Sequence, residues 1–179
     1  MTADRNDPAE RSRLEFELAA HHRAAFAWAR NCCRRSREEA EEVLQMTYLK
    51  VLEGRARFDG QSSFQTWLFG VIRHTAADHR RRAVVRDLLF WRLRGEAAQA
   101  ETAPGAEGRL DAAQQRAVLE RALRALPNRQ REVLLLVFYH ELALEEAARV
   151  MGVGLGSARQ HYARGKERLR QLLGMRVQA

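Results

Sequence analysis

Residues 142–173 carry the pattern that most restricts the fold: a short amphipathic helix, a glycine-rich turn and a second, basic helix. The apolar residues of the first helix recur at intervals of three and four, which places them on one face. They are Leu144, Ala147, Ala148 and Met151. Gly152 follows, and glycine readily adopts the positive φ with which many helices end. This spacing predicts a helix-turn-helix.

The second helix of this motif is basic, with Glu167 as its single acid. Its basic side chains are Arg159, Arg164, Lys166, Arg168 and Arg170, and Gln160 and His161 lie near its start. We expect Ser157 to cap this helix and Gln160 to complete a capping box. A helix in the major groove reads base edges with its first side chains and holds phosphates with its basic ones. The motif therefore favours DNA binding, and the alternative is a solvated basic helix that closes a bundle.

The whole chain has a formal charge of +8 from 31 basic and 23 acidic residues, which favours a polyanionic partner. With 3 Pro and 11 Gly among 179 residues, the composition favours an all-helical fold over sheets. The N-terminus lacks the apolar core of a signal peptide, and the longest apolar run, Val133–Tyr139, is too short to span a bilayer. We therefore expect a cytoplasmic protein without membrane insertion.

The cysteines, Cys32 and Cys33, are adjacent and have no other cysteine to pair with, which suits a reducing compartment. A metal site would have to recruit His21 and His22 from the same predicted helix. They lie about three turns upstream, too far along one helix to share a metal with the thiols. We expect packed or idle thiols and no metal or cofactor.

Periodicity predicts three helices in the first domain. The first covers Arg11–Arg34, and the second covers Arg37–Gly54 with Ser36 as its cap. The apolar face of the first is marked by Leu14, Leu18, Ala25, Trp28 and Ala29. The second helix carries, beside its core stripe, a further stripe of Glu42, Gln45, Met46 and Leu49. The alternative to a functional role for that stripe is an ordinary solvated face.

The third helix begins after the turn-forming segment FDGQSS, whose serines can cap it. Its apolar residues recur at helical steps, so one side is expected to be buried; they are Phe64, Trp67, Leu68, Val71, Ile72 and Thr75. Its far end is basic, with Arg73, His74, His79, Arg80, Arg81, Arg82 and Arg86. Aromatic rings beside a basic cluster can stack on unpaired bases while arginines hold phosphates. The alternative is that Phe64, Trp67 or both belong to the core.

Residues 83–94 are apolar and basic at once, and three interpretations stay open. They extend the third helix, lie on the domain, or present Leu88–Leu93 to a partner. Residues 95–109 are small and polar around Pro104, which is typical of a linker.

The predicted fold is therefore all-α, with two small helical domains joined by a flexible linker. The first domain covers residues 1–94, and the second covers residues 110–179 and contains the helix-turn-helix. Within the second, a helix over Arg129–His140 is apolar nearly all round, so we expect its neighbours to bury it.

Three stretches, in this order, resemble the two conserved domains of bacterial sigma factors of the extracytoplasmic-function group of the sigma-70 family. They are EEAEEVLQMTYLKVLE, FDGQSSFQTWLFGVIRHTAADHRRR and LPNRQREVLLLVFYHELALEEAARVMGVGLGSARQHYARGKERLR. The resemblance implies a subunit that binds core RNA polymerase, directs it to promoters and helps to open the minus-ten DNA. It also implies an anti-sigma factor as a partner, and a linker that runs through the polymerase towards the RNA exit path.

The resemblance also implies which residues act. The face for core polymerase would consist of Glu42, Gln45, Met46 and Leu49. The unpaired minus-ten element would be bound by Asp59, Gln61, Ser62, Ser63, Phe64, Trp67 and His74, with Arg80, Arg81 and Arg82 on the flanking backbone. The minus-thirty-five duplex would be read by Ser157, Arg159, Gln160, His161, Arg164 and Lys166.

The sequence departs from the family pattern at several positions. His74 stands where Asn is usual, which could make DNA opening pH-sensitive, and Met46 stands where Glu is usual. Ser157 and Ala158 replace Thr and Val, and Gly154 replaces a frequent Pro. These departures concern both DNA-binding surfaces and the polymerase-binding face.

Two other classes of function stay open from the residues alone. One is a helix-turn-helix regulator that acts on duplex DNA without being a polymerase subunit, and the other is an adaptor that binds only protein. The sequence contains no phosphate-cradling loop, no nucleophile with its base and no metal cluster, so we do not expect an enzyme.

Overall fold

The computed structural model describes residues 8–34, 36–93 and 112–174, which form seven α-helices and a π-helical turn. Within these ranges the chain has no β-strand, in agreement with the predicted all-α class. The elements are α1 (Pro8–Cys32), α2 (Arg37–Leu52), α3 (Phe64–Leu93), α4 (Ala112–Arg124), α5 (Asn128–Leu134), the π-helical turn (Leu135–Tyr139), α6 (Leu144–Met151) and α7 (Leu155–Leu172). The predicted linker, residues 95–109, lies outside the described residues.

The helices α1, α2 and α3 pack on one another and form the N-terminal lobe, residues 8–93. The predicted apolar face of α1 is confirmed, because Leu18 and Trp28 are buried in the core. The predicted cap of α2 is also confirmed, because Ser36 Oγ accepts a hydrogen bond from the Glu39 N–H at 3.2 Å.

The helix α3 begins where the sequence predicted and extends well beyond its periodic segment. Ser63 Oγ accepts from the Thr66 N–H at 3.2 Å, so this serine caps the first turn. The helix runs to Leu93, so residues 83–93 extend α3, as the first of the three interpretations held.

The helices α4 to α7 and the π-helical turn form the C-terminal lobe, residues 112–174. Gly152 ends α6 with a φ of 64°, as predicted. Its N–H donates to the Arg149 carbonyl at 3.1 Å, and the Val153 N–H donates to the Ala148 carbonyl at 3.1 Å. These are the two bonds of a Schellman motif, so α6 and α7 form the predicted helix-turn-helix.

The predicted capping of α7 is wrong. The helix begins at Leu155, and the residue at its cap position is Gly154, in an extended conformation with no side chain to offer. Ser157 and Gln160 therefore lie inside the first turns of α7 and cannot form a capping box. Local sequence favoured the serine, but the chain enters the helix directly from the tight turn after Gly152.

The predicted burial of the helix over Arg129–His140 is wrong at its C-terminal end. The helix α5 gives way to the π-helical turn, whose wider winding changes which side chains face the core. Phe138 and Tyr139 are 63% and 65% exposed, while His140 is buried.

The two lobes pack against each other through α3 and α6. Buried side chains from both lobes form one continuous hydrophobic cluster, which includes Trp28 and Phe69 from the first and Leu136 and Val150 from the second. This contact places the start of α3 beside the helix-turn-helix.

Candidate nucleic-acid interface

The loop before α3 is held in a defined turn. Asp59 Oδ1 accepts from the Gln61 N–H at 3.1 Å, and Gly60 has a φ of 74°, which glycine adopts without strain. Ser62 Oγ donates to the Ser63 carbonyl at 3.2 Å. Asp59, Gln61 and Ser63 are exposed and Ser62 is half-buried, so the loop presents polar groups at the surface.

Three aromatic rings form a cluster at the end of this loop. The ring centres of Phe64 and Trp67 lie 5.2 Å apart, and Phe58 lies 5.4 Å from each. Phe64 and Trp67 are half-buried, and Phe58 is 38% exposed. The rings thus support one another and keep an open side, on which an unpaired base could stack. Sequence reasoning missed Phe58, although its position directly before the turn was the available signal.

The basic end of α3 is open to solvent. His74, Arg80, Arg81 and Arg82 are all exposed. Arg81 donates a hydrogen bond to Asp78, and this bond is the main reason why the pKa of that carboxyl lies below its ordinary value. His74 follows Trp67 by two helical turns, so the two residues lie on the same side of α3. This end of α3 can therefore hold phosphates beside the aromatic cluster.

The outer face of α2 carries the predicted polymerase-binding stripe. Glu42, Gln45 and Leu49 are exposed, and Leu49 reaches 53%. Met46 is half-buried and packs against the core. Glu42 Oε2 lies 3.1 Å from His79 Nε2 of α3, which orients the carboxylate at one end of the stripe. The stripe is therefore a surface that combines a charge with an exposed apolar side chain.

The predicted minus-thirty-five residues lie on α7, where Ala158 and Gly165 are buried against the lobe. Ser157, Arg159, Gln160 and Arg164 are exposed, and His161 and Lys166 are half-buried. Lys166 is placed by a cation–π contact, with Nζ 4.5 Å from the ring centre of Tyr162. The helix thus presents polar and basic groups along an outer surface while its small residues lie inside.

The first helix of the helix-turn-helix contacts the loop before α3. Glu146 Oε1 accepts from Thr66 Oγ1 at 2.9 Å and from Ser63 Oγ at 3.2 Å. Arg149 Nη1 donates to the Gln61 carbonyl at 2.9 Å. We call this the closed arrangement. In it, α6 forms hydrogen bonds with polar groups of two candidate minus-ten residues, the Ser63 hydroxyl and the Gln61 carbonyl.

An aromatic contact lies at the centre of the closed arrangement. The His140 ring lies edge-on to Phe69 and Trp28, with ring centres 4.7 Å and 5.8 Å away, and Trp28 Nε1 donates to the Phe69 carbonyl at 3.0 Å. Burial lowers the pKa of His140 to about 4, so the ring is neutral at physiological pH. Its buried Nε2 has no hydrogen-bond partner among the described residues. Sequence reasoning missed His140, because its position depends on the π-helical turn.

A third inter-lobe contact is an ion pair between Arg73 of α3 and Glu132 of α5. The other oxygen of the Glu132 carboxylate lies 3.2 Å from Arg129 Nη1. Arg129 also donates to the Met151 carbonyl at 3.0 Å. One carboxylate therefore connects an arginine of each lobe.

The thiols are not arranged for chemistry. Burial raises the pKa of Cys33 to about 11 and also raises that of Cys32, so both thiols stay protonated at neutral pH. In the part of the chain that the structure covers, no cluster of His, Cys, Asp and Glu is placed to hold a metal ion. Among the same helices, none is both long and apolar enough to cross a bilayer.

Two family models match the chain in the order of its lobes. One, described as Sigma-70 region 2, matches residues 18–85, and the other, described as Sigma-70, region 4, matches residues 116–169. The first match contains the candidate polymerase-binding stripe and the candidate minus-ten residues, and the second contains the helix-turn-helix.

Relatives match over most of their length. RNA polymerase sigma factor CarQ of Myxococcus xanthus is 33% identical over 135 residues, 75% of this chain and 75% of CarQ. ECF RNA polymerase sigma factor SigM of Mycobacterium tuberculosis is 29% identical over 158 residues, 86% of this chain and 74% of SigM. The sigma factor RpoE of Bartonella quintana, solved in complex with the anti-sigma factor NepR, has a TM-score of 0.68 at 25% identity, covering 90% of this chain and 96% of that chain.

Proposed function

The chain belongs to the sigma-70 family of RNA polymerase sigma factors, in its extracytoplasmic-function group, and on this premise we propose how its two lobes divide promoter recognition. The protein directs RNA polymerase to promoters; it is an initiation factor and not an enzyme. Core RNA polymerase and promoter DNA are its partners. The observation that carries the proposal is the order of the two family matches, because each falls on one lobe with its own exposed candidate surface.

The N-terminal lobe, in this proposal, opens and holds the minus-ten element. Phe64 and Trp67, supported by Phe58, stack on unpaired bases through the open side of their cluster. Base-to-ring stacking contributes about 1–3 kcal/mol per base and tolerates different bases. The polar loop Asp59–Ser63 and His74 contact the splayed strand, and Arg80–Arg82 hold its flanking phosphates.

The C-terminal lobe, in the same proposal, reads the minus-thirty-five duplex through α7. Gln160 and Arg164 are exposed one turn apart, and Ser157 lies on the same side at the start of the helix. These residues are placed to reach base edges, while Arg159, His161 and Lys166 contact the backbone and groove wall.

The remaining partners follow from the same premise. The stripe of Glu42, Gln45, Met46 and Leu49 binds core polymerase, and the protein acts in the cytoplasm, where that enzyme transcribes. Because the Bartonella quintana relative was solved with an anti-sigma factor, we expect this chain also to bind an inhibitor of that class.

Promoter binding requires the closed arrangement to open. The minus-ten and minus-thirty-five elements are about 25 base pairs apart, roughly 85 Å along a duplex at about 3.4 Å per base pair. In the closed arrangement the helix-turn-helix instead contacts the minus-ten loop, through Glu146 and Arg149. The two lobes must therefore separate before each reaches its element.

The test is promoter-dependent transcription. Start sites mapped after overexpression define the promoter, and core polymerase is then assayed on it with and without the full chain. We expect open complexes, detected as permanganate-reactive thymines near minus ten, only when the chain is present. If the chain adds no promoter-dependent transcription, the proposed function is wrong.

Variants separate the two lobes. Arg159→Glu with Arg164→Glu should weaken promoter binding by one to two orders of magnitude and reduce its salt dependence, because two contacts to DNA are lost. The matched control is Arg121→Glu with Arg124→Glu on α4, two exposed arginines outside the proposed surface. Trp67→Ala should leave duplex binding by the C-terminal lobe intact and abolish strand opening.

The same experiments test the competing functions. A regulator that acts only on duplex DNA would bind its site tightly without core polymerase and would not bind single-stranded minus-ten DNA. A protein adaptor would keep its function after charge reversal at Arg159 and Arg164. Both of these outcomes contradict the division of recognition proposed above.

A further inference from the structure

A cavity of about 260 Å³ lies between the two lobes, on the side where α1 and α3 face α5. Arg34, Arg73 and Arg80 of the N-terminal lobe line it from one side, and Arg129 and Arg131 of the C-terminal lobe line it from the other. The cavity therefore exists only in the closed arrangement, because each lobe supplies one wall.

The lining of this cavity carries an excess of positive charge. Among the described lining residues, five arginines face a single carboxylate, that of Glu132. Glu132 is already shared, since one of its oxygens is bound by Arg73 and the other lies 3.2 Å from Arg129 Nη1. Like charges that are brought together across an interface repel one another, so this excess opposes closure unless an anion offsets it.

The thiol in the cavity wall does not supply the missing negative charge. Burial is the main cause that raises the pKa of Cys32, and the nearby Glu132 raises it further. The thiol is therefore neutral, and the positive excess of the lining is not reduced by it.

The size and the chemistry of the lining indicate the kind of anion. A guanidinium presents a planar fork of N–H donors that matches phosphate oxygens, and five arginine side chains line this cavity. The volume lies below the usual range of drug-sized pockets, about 300–1,000 Å³, so a small multivalent anion fits better than a whole nucleotide. The amides of Asn31 and Asn128 add a neutral polar group to each wall.

We propose that this cavity binds a small multivalent anion of the phosphate class, such as pyrophosphate, and that its occupant stabilises the closed arrangement. A ligand held by arginines of both lobes binds only the closed state, so binding shifts the population towards that state. Arg80 is also a candidate for the DNA backbone, so a DNA phosphate has the same chemistry as a free anion. The proposal concerns closure itself and does not depend on promoter recognition.

The experiment titrates the full chain with pyrophosphate at constant ionic strength, with sodium chloride as the control salt. Calorimetry measures binding, and small-angle X-ray scattering measures the radius of gyration in the same buffers. We expect saturable binding together with a smaller radius of gyration, which sodium chloride at equal ionic strength does not produce. Because neither polymerase nor promoter is present, failure here is distinct from failure of the proposed function.

Substitutions in the lining test whether the anion binds in this cavity. Arg34→Gln and Arg131→Gln, one from each lobe, should each weaken pyrophosphate binding about tenfold, the loss expected for one charged hydrogen-bonding partner. Arg34→Lys should restore part of the affinity by returning the charge. Arg30→Gln is the matched control, since Arg30 is exposed on α1 but does not line the cavity. Circular dichroism and melting curves check that each variant is folded.

The outcomes separate the two sources of phosphate. If Arg34→Gln and Arg131→Gln weaken binding of a short DNA duplex but not of pyrophosphate, the cavity serves DNA and the free-anion proposal is refuted. Absence of saturable pyrophosphate binding refutes it as well. Binding that is equal in the wild type, both cavity variants and Arg30→Gln refutes the assignment to this cavity.

Discussion

Glu146 is the residue through which the strength of the closed arrangement can be tested most directly. Its Oε1 accepts hydrogen bonds from Thr66 at 2.9 Å and from Ser63 at 3.2 Å, both across the lobe interface. Its Oε2 accepts from the Ala143 N–H at 3.1 Å within its own lobe. Glu146→Ala removes all three bonds, and only the first two concern closure.

The expected magnitude follows from the number and exposure of these bonds. A hydrogen bond to a charged group contributes about 1.5–3 kcal/mol when buried, and less where solvent competes, as at the half-buried Glu146. We take about 1 kcal/mol for each cross-lobe bond, so the substitution weakens closure by about 2 kcal/mol. That difference changes the ratio of closed to open molecules about thirtyfold. Loss of the bond to Ala143 adds about 0.5–1 kcal/mol to the destabilisation of α6.

A double-mutant cycle separates the two contributions. Thr66→Val removes the partner hydroxyl without disturbing α6, so the coupling between Thr66→Val and Glu146→Ala reports the cross-lobe bond alone. We expect a coupling of about 1 kcal/mol in the free energy of urea unfolding. Glu145→Ala is the matched control, because that neighbouring carboxylate is 58% exposed and its ion pair within the described residues is a 4.0 Å contact with Arg159.

The assay for opening is small-angle X-ray scattering of the full chain. Glu146→Ala should increase the maximum dimension of the particle, whereas Glu145→Ala should leave it unchanged. On a cognate promoter, Glu146→Ala should form open complexes faster than the wild type, because a smaller share of its molecules is closed. An unchanged scattering curve together with a coupling indistinguishable from zero would refute this account of the interface.

Two further predictions concern stability. Gly165→Ala should lower the free energy of unfolding by about 1 kcal/mol, because the new Cβ would lie 3.2 Å from the Cβ and the carbonyl oxygen of Gln130 and from Leu134 Cδ1. Urea unfolding measures this loss, with Gly156→Ala as the control, because a Cβ at Gly156 meets nothing within 4 Å. Stability should fall by about 3 kcal/mol between pH 6.5 and pH 4, because the unfolded chain protonates His140 near 6.5 and the folded chain only near 4. His140→Phe keeps a ring at the interface and should remove that part of the pH dependence. If the free energy of unfolding falls equally with pH in the wild type and in this variant, the role given to His140 is wrong.

Those features of the fold that depend on nearby residues could be predicted from the sequence. Ser36 caps α2 and Ser63 caps α3 because the groups that a cap satisfies lie within three residues of it. Gly152 ends α6 for the same local reason, since the left-handed conformation depends on the residue itself. These predictions needed no knowledge of the rest of the chain.

The predictions that failed concern positions where tertiary packing or backbone winding overrides local preference. Ser157 is a better cap than Gly154, yet α7 begins at Leu155 because the turn after α6 delivers the chain there. The run of apolar residues around the whole helix suggested that Phe138 and Tyr139 would be buried, and the π-helical turn places them at the surface. A pattern of apolar residues does not reveal where a helix changes its winding.

The candidate site was predictable in its parts and not in its arrangement. The loop, the aromatic rings and the basic helix were each recognisable from residue type and spacing. The contacts that join them were not, because Glu146 lies 80 residues from Thr66 and Arg149 lies 88 residues from the Gln61 carbonyl that it binds. Hydrophobic periodicity carries no information about which polar groups meet across such separations.

The composition of the interface limits how strongly the protein can stay closed. Its polar contacts range from the exposed Arg149 on the Gln61 carbonyl to the partly buried pair of Arg73 and Glu132. At its centre His140 packs against Trp28 and Phe69, within the hydrophobic cluster that both lobes share. Interfaces between domains of one chain resemble transient complexes, so separation of the lobes is the default expectation once a competing partner is present. Since α6 occupies the same loop that is proposed to bind the minus-ten strand, closure and promoter binding compete for Gln61 and Ser63. In this proposal, promoter DNA and any occupant of the arginine-lined cavity act on one equilibrium, and each can shift it only by the difference between its affinities for the closed and the open state.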